Sequence, residues 1–456
     1  MFMLALETAL RSIRKTPGVS ALVVLAIALG VGITMPMVVL YHNINQNPMP
    51  DKSDQLYTTL IYNWFPEMDF WWSGADLPPD LMTAKDARAL STSDIPDRFA
   101  MSYNAMIPVR SSDNDQAIKP FFSEVRVTSS DFFEMFEVPI AYGGYWDDEA
   151  DRNVANVAVI NPYVNERLFG GGNNVGRSFK ISDQVYEVIG ILDAWNFTPR
   201  LYALGNNSRT EGIFVPVSDF RRSHLTPSRE VTVGSETPAI FDATYLASET
   251  LFADVWVELD SPGEADEWRD FVDSYVLEQK QLGRLQRPMD NRVISATDWL
   301  NTAPQNTGSK SLYRAFIIVA GFFLVVCIFN LLSLLLSKFM SVASEASVTR
   351  ALGATRSDIF LRYVLEVMIL GLIGGALSLY VASVALRGMV YVYIENLPSD
   401  FKQIQGAAIE DSPYIQFDMT LLVMTFVLAL AASIIAALIP AWRACSAPPA
   451  EYLKVN

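Results

Sequence analysis

Residue patterns that could support catalysis are scarce in this 456-residue sequence. The stretch from Gly171 to Ser178 (GGNNVGRS) approaches the phosphate-binding pattern G-x-x-x-x-G-K-[ST], but Arg177 stands at the lysine position. The residues after Ser178 alternate as a strand does, whereas a phosphate site of this kind needs a helix N-terminus there. We therefore expect a turn at this position and no nucleotide-binding site.

Residues that commonly bind metals or act as nucleophiles are dispersed along the chain. There are two histidines, His42 and His224, and two cysteines, Cys327 and Cys445. Their spacing fits neither a zinc site nor a disulfide framework. An acidic run at 147–151 (DDEAD) could attract a cation, but it lacks the ligand alternation of a calcium loop. We predict a non-catalytic protein that itself binds no metal and no cofactor.

One ionisable side chain stands where its charge requires an explanation. Glu366 lies in a long apolar stretch, near the point where that stretch would enter a membrane, and a charge there needs a partner. Arg362 precedes it by four residues on the same helix face and could supply the opposite charge. The alternative is that these side chains simply extend to the membrane surface. Arg362 and Glu366 are therefore the candidate ionisable pair at the membrane interface.

A short basic segment, residues 338–358, precedes this pair and separates two apolar stretches. Residues 341–352 can form a helix that ends at Gly353, because glycine readily adopts the left-handed backbone needed past a helix end. Thr355 and Asp358 have the spacing of a capping box and predict the start of the next helix. The segment thus predicts a stiff elbow between two helices, although a plain connecting loop is the alternative.

Long apolar stretches place this elbow in a membrane protein. Hydrophobic residues make up 51% of the sequence, and four stretches are long enough to cross a bilayer as helices. The predicted spans cover residues 18–42, 311–337, 359–386 and 419–442. A cleaved signal peptide is the alternative for the first span, but its apolar run exceeds the usual length of such a segment.

The segments between the spans have a clear charge asymmetry. Residues 1–17 predict an interfacial helix, 43–310 a large outer domain, 387–418 a short outer loop and 443–456 a tail. The segments assigned to the cytoplasm carry basic residues at Arg11, Arg14, Lys15, Lys338, Arg350, Arg356, Arg362, Arg443 and Lys454, against acidic residues at Glu7, Glu345, Asp358 and Glu451. By the positive-inside rule, both termini and the elbow are predicted to be cytoplasmic.

The predicted outer domain contains nearly all of the acidic excess. Residues 43–310 hold 22 basic and 40 acidic residues, whereas the rest of the chain has a net charge of +2. This balance argues against nucleic acid as a partner. Intermixed patterns predict an α+β domain of two subdomains, the middle one inserted between outer strand–helix pieces. The predicted strands are 56–62, 121–128, 154–160, a hairpin at 178–192, 212–217 and 254–259, and the predicted helices are 81–90, 161–169 and 264–281.

Two further features belong to the membrane part. Residues 301–311 are polar and predict a linker before the second span. In the third span, Gly371, Gly374 and Gly375 recur at a spacing that lets helices approach closely. We expect this glycine face to pack against another span or another subunit.

Several blocks of sequence, in order along the chain, resemble the MacB/FtsX-like family of ABC-transporter permeases. The blocks are ALRSIRKTPGVSALVVLAIALGVG at 9–32, VTSSDFFEMFEVPIAYGGYW at 127–146, VAVINPYVNERLFGGGNNVGRSFKI at 157–181, SVTRALGATRSDIFLRYVLEVMILGLIGGALSL at 347–379 and PAWRACSAPPAEYL at 440–453. The resemblance implies an α-helical protein of the inner membrane with four transmembrane helices and a MacB-type periplasmic domain. That domain would consist of a porter-like part with an inserted second subdomain.

The resemblance also implies a function and partners. A separate cytoplasmic ATPase would use ATP and magnesium to move the periplasmic domain, a process called mechanotransmission, for export or efflux. The segment matching 341–354 would be the coupling helix, and the residues implied for ATPase contact are Glu345, Arg350, Leu352, Gly353 and Arg356. A second permease, identical or homologous, is expected, and a periplasmic adaptor and an outer-membrane channel are further candidate partners.

Two other functions fit the same architecture. An FtsX-like scaffold would relay ATP turnover to cell-wall hydrolases, although the outer domain here is large for such a scaffold. A lipoprotein-releasing permease would instead extract lipoproteins from the inner membrane. The sequence does not identify the substrate.

Overall fold

The computed structural model describes residues 2–63, 77–112, 119–195, 197, 199–206, 211–220, 224–231, 241–351, 353–395 and 419–446. These residues form two compact units. The helical unit comprises the described residues of 2–44 and 310–446, and the mixed α/β unit comprises those of 45–309. Each unit has its own buried core.

The helices of the described residues are named in chain order. They are α1 (Phe2–Lys15), α2 (Pro17–Asn45), α3 (Ala84–Leu90), α4 (Asp131–Met135), α5 (Asp148–Arg152), α6 (Pro162–Phe169), α7 (Ala243–Leu246), α8 (Pro262–Gln281), α9 (Ala296–Thr302), α10 (Pro304–Ser341), α11 (Ala343–Ala351), α12 (Arg356–Glu395) and α13 (Met419–Ser446). Two short 3-10 helices, Leu201–Asn206 and Ser218–Phe220, lie in the mixed unit.

Four helices of the described residues are long and apolar enough to cross a membrane, namely α2, α10, α12 and α13. They correspond to the four predicted spans. The core between them includes Val31 of α2, Leu335 of α10, Val367 of α12 and Ala436 of α13. In its most apolar window, α10 buries only 6% of its residues within the chain, against 56% for α2. Most of the apolar surface of α10 is therefore exposed on this chain.

All four spanning helices extend beyond the predicted limits, α10 and α12 the furthest. α10 begins at Pro304, so the prediction of a polar linker at 301–311 is wrong for most of its length. Proline is favoured in the first turn of a helix, where its missing N–H is not needed. α12 continues to Glu395, because residues 387–395 contain no proline that would end the helix.

The remaining predicted outer and terminal segments are only partly described. The first part of the predicted loop at 387–418 is helical, and residues 396–418 lie outside the described residues. α13 extends to Ser446, past the predicted end of the fourth span. The rest of the predicted tail also lies outside the described residues.

The mixed unit is built on one ten-stranded sheet of the described residues. Its strands are β1 (Leu56–Leu60), β2 (Arg98–Ser111), β3 (Phe121–Thr128), β4 (Ile140–Gly143), β5 (Val157–Ile160), β6 (Ser178–Ile181), β7 (Gln184–Leu192), β8 (Glu211–Pro216), β9 (Asp254–Glu258) and β10 (Arg292–Ser295). The order is β10-β1-β9-β2-β3-β8-β5-β7-β4, and β6 pairs with both β2 and β7. Strands from the two ends of this unit form one side of the sheet, and the inserted middle portion extends it.

Alternating strand residues supply a core on each face of this sheet. On β8, Ile213 and Val215 belong to one buried cluster, while Phe214 belongs to the other. On β9, Val255 and Val257 likewise face away from Trp256. This alternation follows from the two-residue period of a strand. Both faces of the sheet are therefore covered.

Several elements bounded by a helix cap or a turn were predicted correctly from the local sequence. Helix α6 begins after Asn161, whose side chain accepts from the N–H of Val164, and it ends at left-handed Gly170. The glycine-rich segment that follows is a turn, as predicted. The long strand β2 was not predicted, because Pro108 interrupts its apolar pattern and proline is uncommon inside sheets. β2 nevertheless pairs with three strands, β3, β6 and β9.

Candidate functional site

The elbow between α10 and α12 contains the short helix α11 and a sharp connection after it. Gly353 has a φ of +107°, and its N–H donates to the carbonyl oxygen of Arg350 at 3.0 Å. The next N–H, that of Ala354, donates to the carbonyl oxygen of Thr349 at 3.2 Å. A positive φ strains most side chains but not glycine. The predicted helix end at Gly353 is therefore confirmed.

The start of α12 is fixed by a reciprocal pair of hydrogen bonds. The N–H of Asp358 donates to Thr355 Oγ1 at 3.2 Å, and the N–H of Thr355 donates to Asp358 Oδ2 at 2.9 Å. This is the predicted capping box, which satisfies two N–H groups that a helix start leaves unpaired. The two helix ends that meet between α11 and α12 thus have little freedom to unwind.

Arg350 joins the elbow to the end of another helix. Its Nη1 donates to the carbonyl oxygen of Cys445, in the last turn of α13, at 3.1 Å. A cation is favourable at this end of a helix, where carbonyl groups are unpaired. Arg350 is half-buried, whereas Arg356, at the start of α12, is exposed. Of these two predicted contact residues, Arg356 presents more of its surface outside the chain.

Helix α11 has one buried and one exposed side among its described side chains. Ala343 and Ser347 are buried, and Ser347 Oγ donates to the carbonyl oxygen of Ala343. Val348, which is 46% exposed, and Thr349 lie on the other side. The side chain of Glu345 and the whole of residue 352 (Leu352) lie outside the described residues.

The partner of Glu366 is Lys338 and not Arg362. Lys338 Nζ lies 2.6 Å from Glu366 Oε1, and both side chains are fully buried. Lys338 is in the last turn of α10 and Glu366 is in α12. The ion pair therefore joins these two helices, which we call the arms of the elbow. The prediction of an Arg362–Glu366 pair is wrong because it considered spacing along one helix. A neighbouring helix brings a second cation into contact with the carboxylate.

Two serines complete this arrangement. Ser12 of α1 donates to Glu366 Oε1 at 3.0 Å, and Lys338 donates to Ser20 Oγ of α2 at 2.7 Å. Both serines are buried. We call Ser12, Ser20, Lys338 and Glu366 the polar junction. It connects α1, α2, α10 and α12 through groups that have few other partners in an apolar surrounding.

Two buried side-chain atoms on α12 have no hydrogen-bond partner among the described residues. They are Glu366 Oε2 and Arg362 Nε. A buried polar atom without a partner costs about 1–3 kcal/mol. Residues four apart are neighbours on a helix surface. Arg362 and Glu366 are therefore one turn apart on α12, but the predicted pair between them is not formed.

The three glycines of α12 lie at close helix contacts. A Cβ atom added at Gly371 would meet Ser433 Oγ of α13 at 2.8 Å, and one at Gly374 would meet Ile27 of α2 at 2.8 Å. At Gly375 it would meet Ala429 of α13 at 3.2 Å. These glycines thus face other helices of the same chain.

The mixed unit has its own buried cluster of charges. Arg126 of β3 donates through Nε to Glu211 (3.3 Å) and through Nη1 to Asp254 (3.1 Å) and to Ser102. The Arg126 guanidinium also lies 4.4 Å from the Tyr202 ring centroid. We call Arg126, Glu211, Asp254 and Ser102, with Tyr202, the arginine cluster.

The arginine cluster favours the ionised form of its central acid. Although burial opposes ionisation of Glu211, the guanidinium groups of Arg200 and Arg126 lower the pKa of this carboxyl below its usual value. Arg200 Nη1 lies 3.3 Å from Glu211 Oε2. No group of three or more potential metal ligands exists among the described residues. Because its charges are paired with one another, the cluster has the character of a structural ion network.

Sequence reasoning missed both buried charge networks for the same reason. Lys338 was counted only as one of the basic residues that set topology, and Arg126 only as part of a strand. The signal for Arg126 was a run of polar residues, Glu124, Arg126 and Thr128, that alternates with the apolar Val125 and Val127 along one strand. The signal for Lys338 was a lysine directly after the apolar stretch of the second span, where the helix continues past the predicted end of that span.

Comparisons with known proteins agree with this architecture. Residues 20–272 match the model of the MacB-like periplasmic core domain, and residues 317–449 match that of the FtsX-like permease C-terminal domain. The macrolide export ATP-binding/permease protein MacB of Shewanella oneidensis is 24% identical over 380 residues, covering 82% of this chain and 49% of that protein.

A second relative is the pyoverdine export ATP-binding/permease protein PvdT of Pseudomonas aeruginosa. It is 25% identical over 270 residues, covering 58% of this chain and 35% of that protein. The chain thus spans about half or less of the length of these curated relatives.

Among solved structures, the periplasmic region of MacB from Actinobacillus actinomycetemcomitans aligns with a TM-score of 0.36 and 12% identity. It covers 57% of this chain and 96% of that structure. The first domain model alone covers more than half of the chain, and the second covers most of the helical unit. The chain therefore belongs to the MacB/FtsX-like family of ABC-transporter permeases, as a membrane protein with a MacB-type periplasmic core domain.

Proposed function

We propose that this chain is the permease subunit of a MacB-like, type VII ABC transporter. In this role it couples ATP hydrolysis on the cytoplasmic side to movement of the periplasmic domain, which drives export. The observation that carries the proposal is the elbow, whose two helix ends are both fixed by internal hydrogen bonds. The names of its relatives, which describe export of macrolides and of pyoverdine, support export over the alternative functions.

The elbow has the properties needed to receive a push without absorbing it. A flexible loop would dissipate a displacement through backbone rotation, whereas capped helices move as units. In the proposed mechanism an ABC ATPase seats on the exposed side of α11, near Val348 and Thr349, together with Glu345, Leu352 and Arg356. Arg350 then transmits part of the displacement to α13 through the Cys445 carbonyl oxygen.

The proposal includes several partners. The ATPase uses ATP and magnesium, and this chain supplies no catalytic residue. Because four helices enclose little space for a channel, a second permease, identical or homologous, completes the complex. Substrate is then handled on the periplasmic side, where an adaptor and an outer-membrane channel receive it.

The proposed orientation places the elbow and both termini in the cytoplasm and the mixed unit in the periplasm. It can be tested with single cysteines in a Cys327→Ser/Cys445→Ser background. Val348→Cys probes the elbow and Phe122→Cys probes the mixed unit; these positions are 46% and 42% exposed. A membrane-impermeant maleimide applied to spheroplasts should label position 122 at once and position 348 only after permeabilisation. Labelling of position 348 in intact spheroplasts would overturn the orientation.

The proposed coupling role is tested by damaging the elbow. Arg350→Glu combined with Gly353→Pro removes the contact to Cys445 and the sharp helix end. Arg14→Glu, at an exposed position of α1, is a matched charge reversal away from the elbow. With the affinity-tagged chain purified from membranes, the elbow variant should lose the co-purifying ATPase and its permease-dependent ATP hydrolysis, while Arg14→Glu retains both. Intact binding and hydrolysis in the elbow variant would contradict the proposal.

A further inference from the structure

The polar junction contains more than a static anchor between two helices would need. Its ion pair is fully buried, and Ser12 and Ser20 each bond one of the two charges. All of these contacts use the same carboxylate oxygen or the lysine ammonium. Glu366 Oε2 remains unpartnered among the described residues, and so does Arg362 Nε on the same helix.

The positions of these two atoms suit a second ion pair. Residues 362 and 366 are separated by one helical turn, so rotation of side chains, without backbone movement, can bring them together. A guanidinium binds a carboxylate well through charge-assisted hydrogen bonds. Lys338, in contrast, lies on a different arm of the elbow. Glu366 therefore has one cation on its own helix and another on the neighbouring helix.

We propose that Glu366 exchanges partners during coupling. It pairs with Lys338 when α10 and α12 lie together, and with Arg362 when α10 moves away. Lys338 and Glu366 are then positioning residues that hold the resting elbow against α1 and α2. Arg362 keeps the carboxylate from being left buried and unpaired. This inference rests on the proposed function, because it requires that the two arms move.

A purely structural role for the ion pair leads to a different expectation. In that case any oppositely charged pair at positions 338 and 366 should serve, and position 362 should be irrelevant. The charge swap Lys338→Glu/Glu366→Lys keeps the ion pair between the arms. It also places a lysine one turn from Arg362. The two positive charges repel each other, so residue 366 can no longer pair with Arg362. Adding Arg362→Glu to the swap restores an opposite charge at that place.

The movement can be followed as a distance between the two arms. Spin labels are attached at Met340→Cys on α10 and Leu361→Cys on α12, both exposed positions, in a Cys327→Ser/Cys445→Ser background. Distances are measured by pulsed EPR on the full chain in nanodiscs with its co-purified ATPase, before and after trapping with ATP and vanadate. The natural sequence should show a change in distance on trapping.

The variants separate exchange from anchoring. The swap should fold, keep the resting distance and bind the ATPase, yet fail to change distance on trapping, with permease-dependent ATP hydrolysis lowered roughly 2- to 30-fold. The triple variant, which adds Arg362→Glu to the swap, should recover both the distance change on trapping and the rate of ATP hydrolysis. A swap that moves and hydrolyses ATP like the natural sequence would overturn the exchange.

The remaining outcomes also decide. If the complex forms and hydrolyses ATP but the natural sequence shows no distance change, the exchange is wrong while the elbow contact stands. If the damaged elbow, Arg350→Glu/Gly353→Pro, still supports ATPase binding, the proposed function fails and the exchange falls with it. If the swap fails to fold, Arg362→Met distinguishes the two roles, because it leaves the Lys338–Glu366 pair intact. Partner exchange predicts that this variant loses the distance change on trapping, whereas a purely structural role predicts that it keeps the distance change.

Discussion

The two units of the molecule bury charge in different ways. In the mixed unit, Arg126 has two acidic partners, a serine and an aromatic ring around one guanidinium. In the helical unit, Lys338 has one acidic partner and one serine. The arginine cluster is multiply connected within one sheet and its covering segments, while the polar junction joins four separate helices through single contacts.

This difference suggests different roles: the arginine cluster holds the strands of the sheet together, whereas the polar junction can change its ion-pair partners. A guanidinium held by several groups loses all of them only if the sheet itself opens. A single lysine–glutamate contact breaks when one helix shifts, and α12 already carries an acceptor, Glu366 Oε2, and a donor, Arg362 Nε, that are unpartnered among the described residues. We expect substitutions in the arginine cluster to lower the free energy of unfolding more than substitutions in the polar junction do.

The largest expected effect follows from removing the centre of the arginine cluster. Arg126→Met leaves Glu211 and Asp254 buried with fewer compensating charges, which should lower the free energy of unfolding by about 3–5 kcal/mol. Guanidinium titration of the full chain, monitored by tryptophan fluorescence, measures the loss. Arg269→Met is the matched control, because the exposed pair Arg269–Asp266 should contribute less than about 1 kcal/mol. Equal losses would remove the distinction between buried and exposed arginines.

A smaller loss is expected for the corresponding change in the helical unit. Lys338→Met strands Glu366, but Arg362 can take over the carboxylate, so we expect a destabilisation below the roughly 3–5 kcal/mol of a broken buried pair. Lys338→Met/Glu366→Met should recover most of the loss, since apolar residues of similar size replace such pairs well. Unfolding titrations in mixed micelles compare the two variants. If Lys338→Met costs as much as Arg126→Met, Arg362 does not compensate.

Helix packing in the same unit gives the next effect. Gly374→Ala adds a Cβ that would meet Ile27 at 2.8 Å, and overpacking of this kind costs about 1–3 kcal/mol. Gly388→Ala, on the same helix with nothing within 4 Å of the added Cβ, should be neutral or slightly stabilising. The thermal midpoints of the purified chains test the difference. Equal midpoints would mean that α2 and α12 are not held at this distance.

Local signals predicted the parts of the fold that depend on neighbours in sequence. Gly353, Thr355 and Asp358 were predicted to mark helix ends, and the structure has each of them in that role. Four apolar stretches announced the spanning helices. Such features depend on a few adjacent residues, so one sequence suffices to predict them.

Features that depend on distant residues were missed or misassigned. Glu366 was predicted to pair with Arg362 because both are on one helix. Its partner in the structure is Lys338, which lies on the preceding long helix, α10. Arg126, Glu211 and Asp254 meet only once β3, β8 and β9 take their places in the sheet. Pairings of this kind require the order and register of elements, which local patterns do not contain.

The smallest expected effect concerns the capping box at the elbow. Thr355→Ala removes the side-chain acceptor for the Asp358 N–H, and loss of such a cap costs about 1 kcal/mol. Because the cap is exposed, the effect should remain local and raise amide hydrogen exchange in the first turn of α12 without lowering the thermal midpoint. Hydrogen-exchange mass spectrometry of peptides covering 354–361 measures it, with Ser357→Ala in the same turn as the control. Equal exchange in the two variants would show that packing holds the start of α12 and that the capping box adds nothing to the stiffness of the elbow.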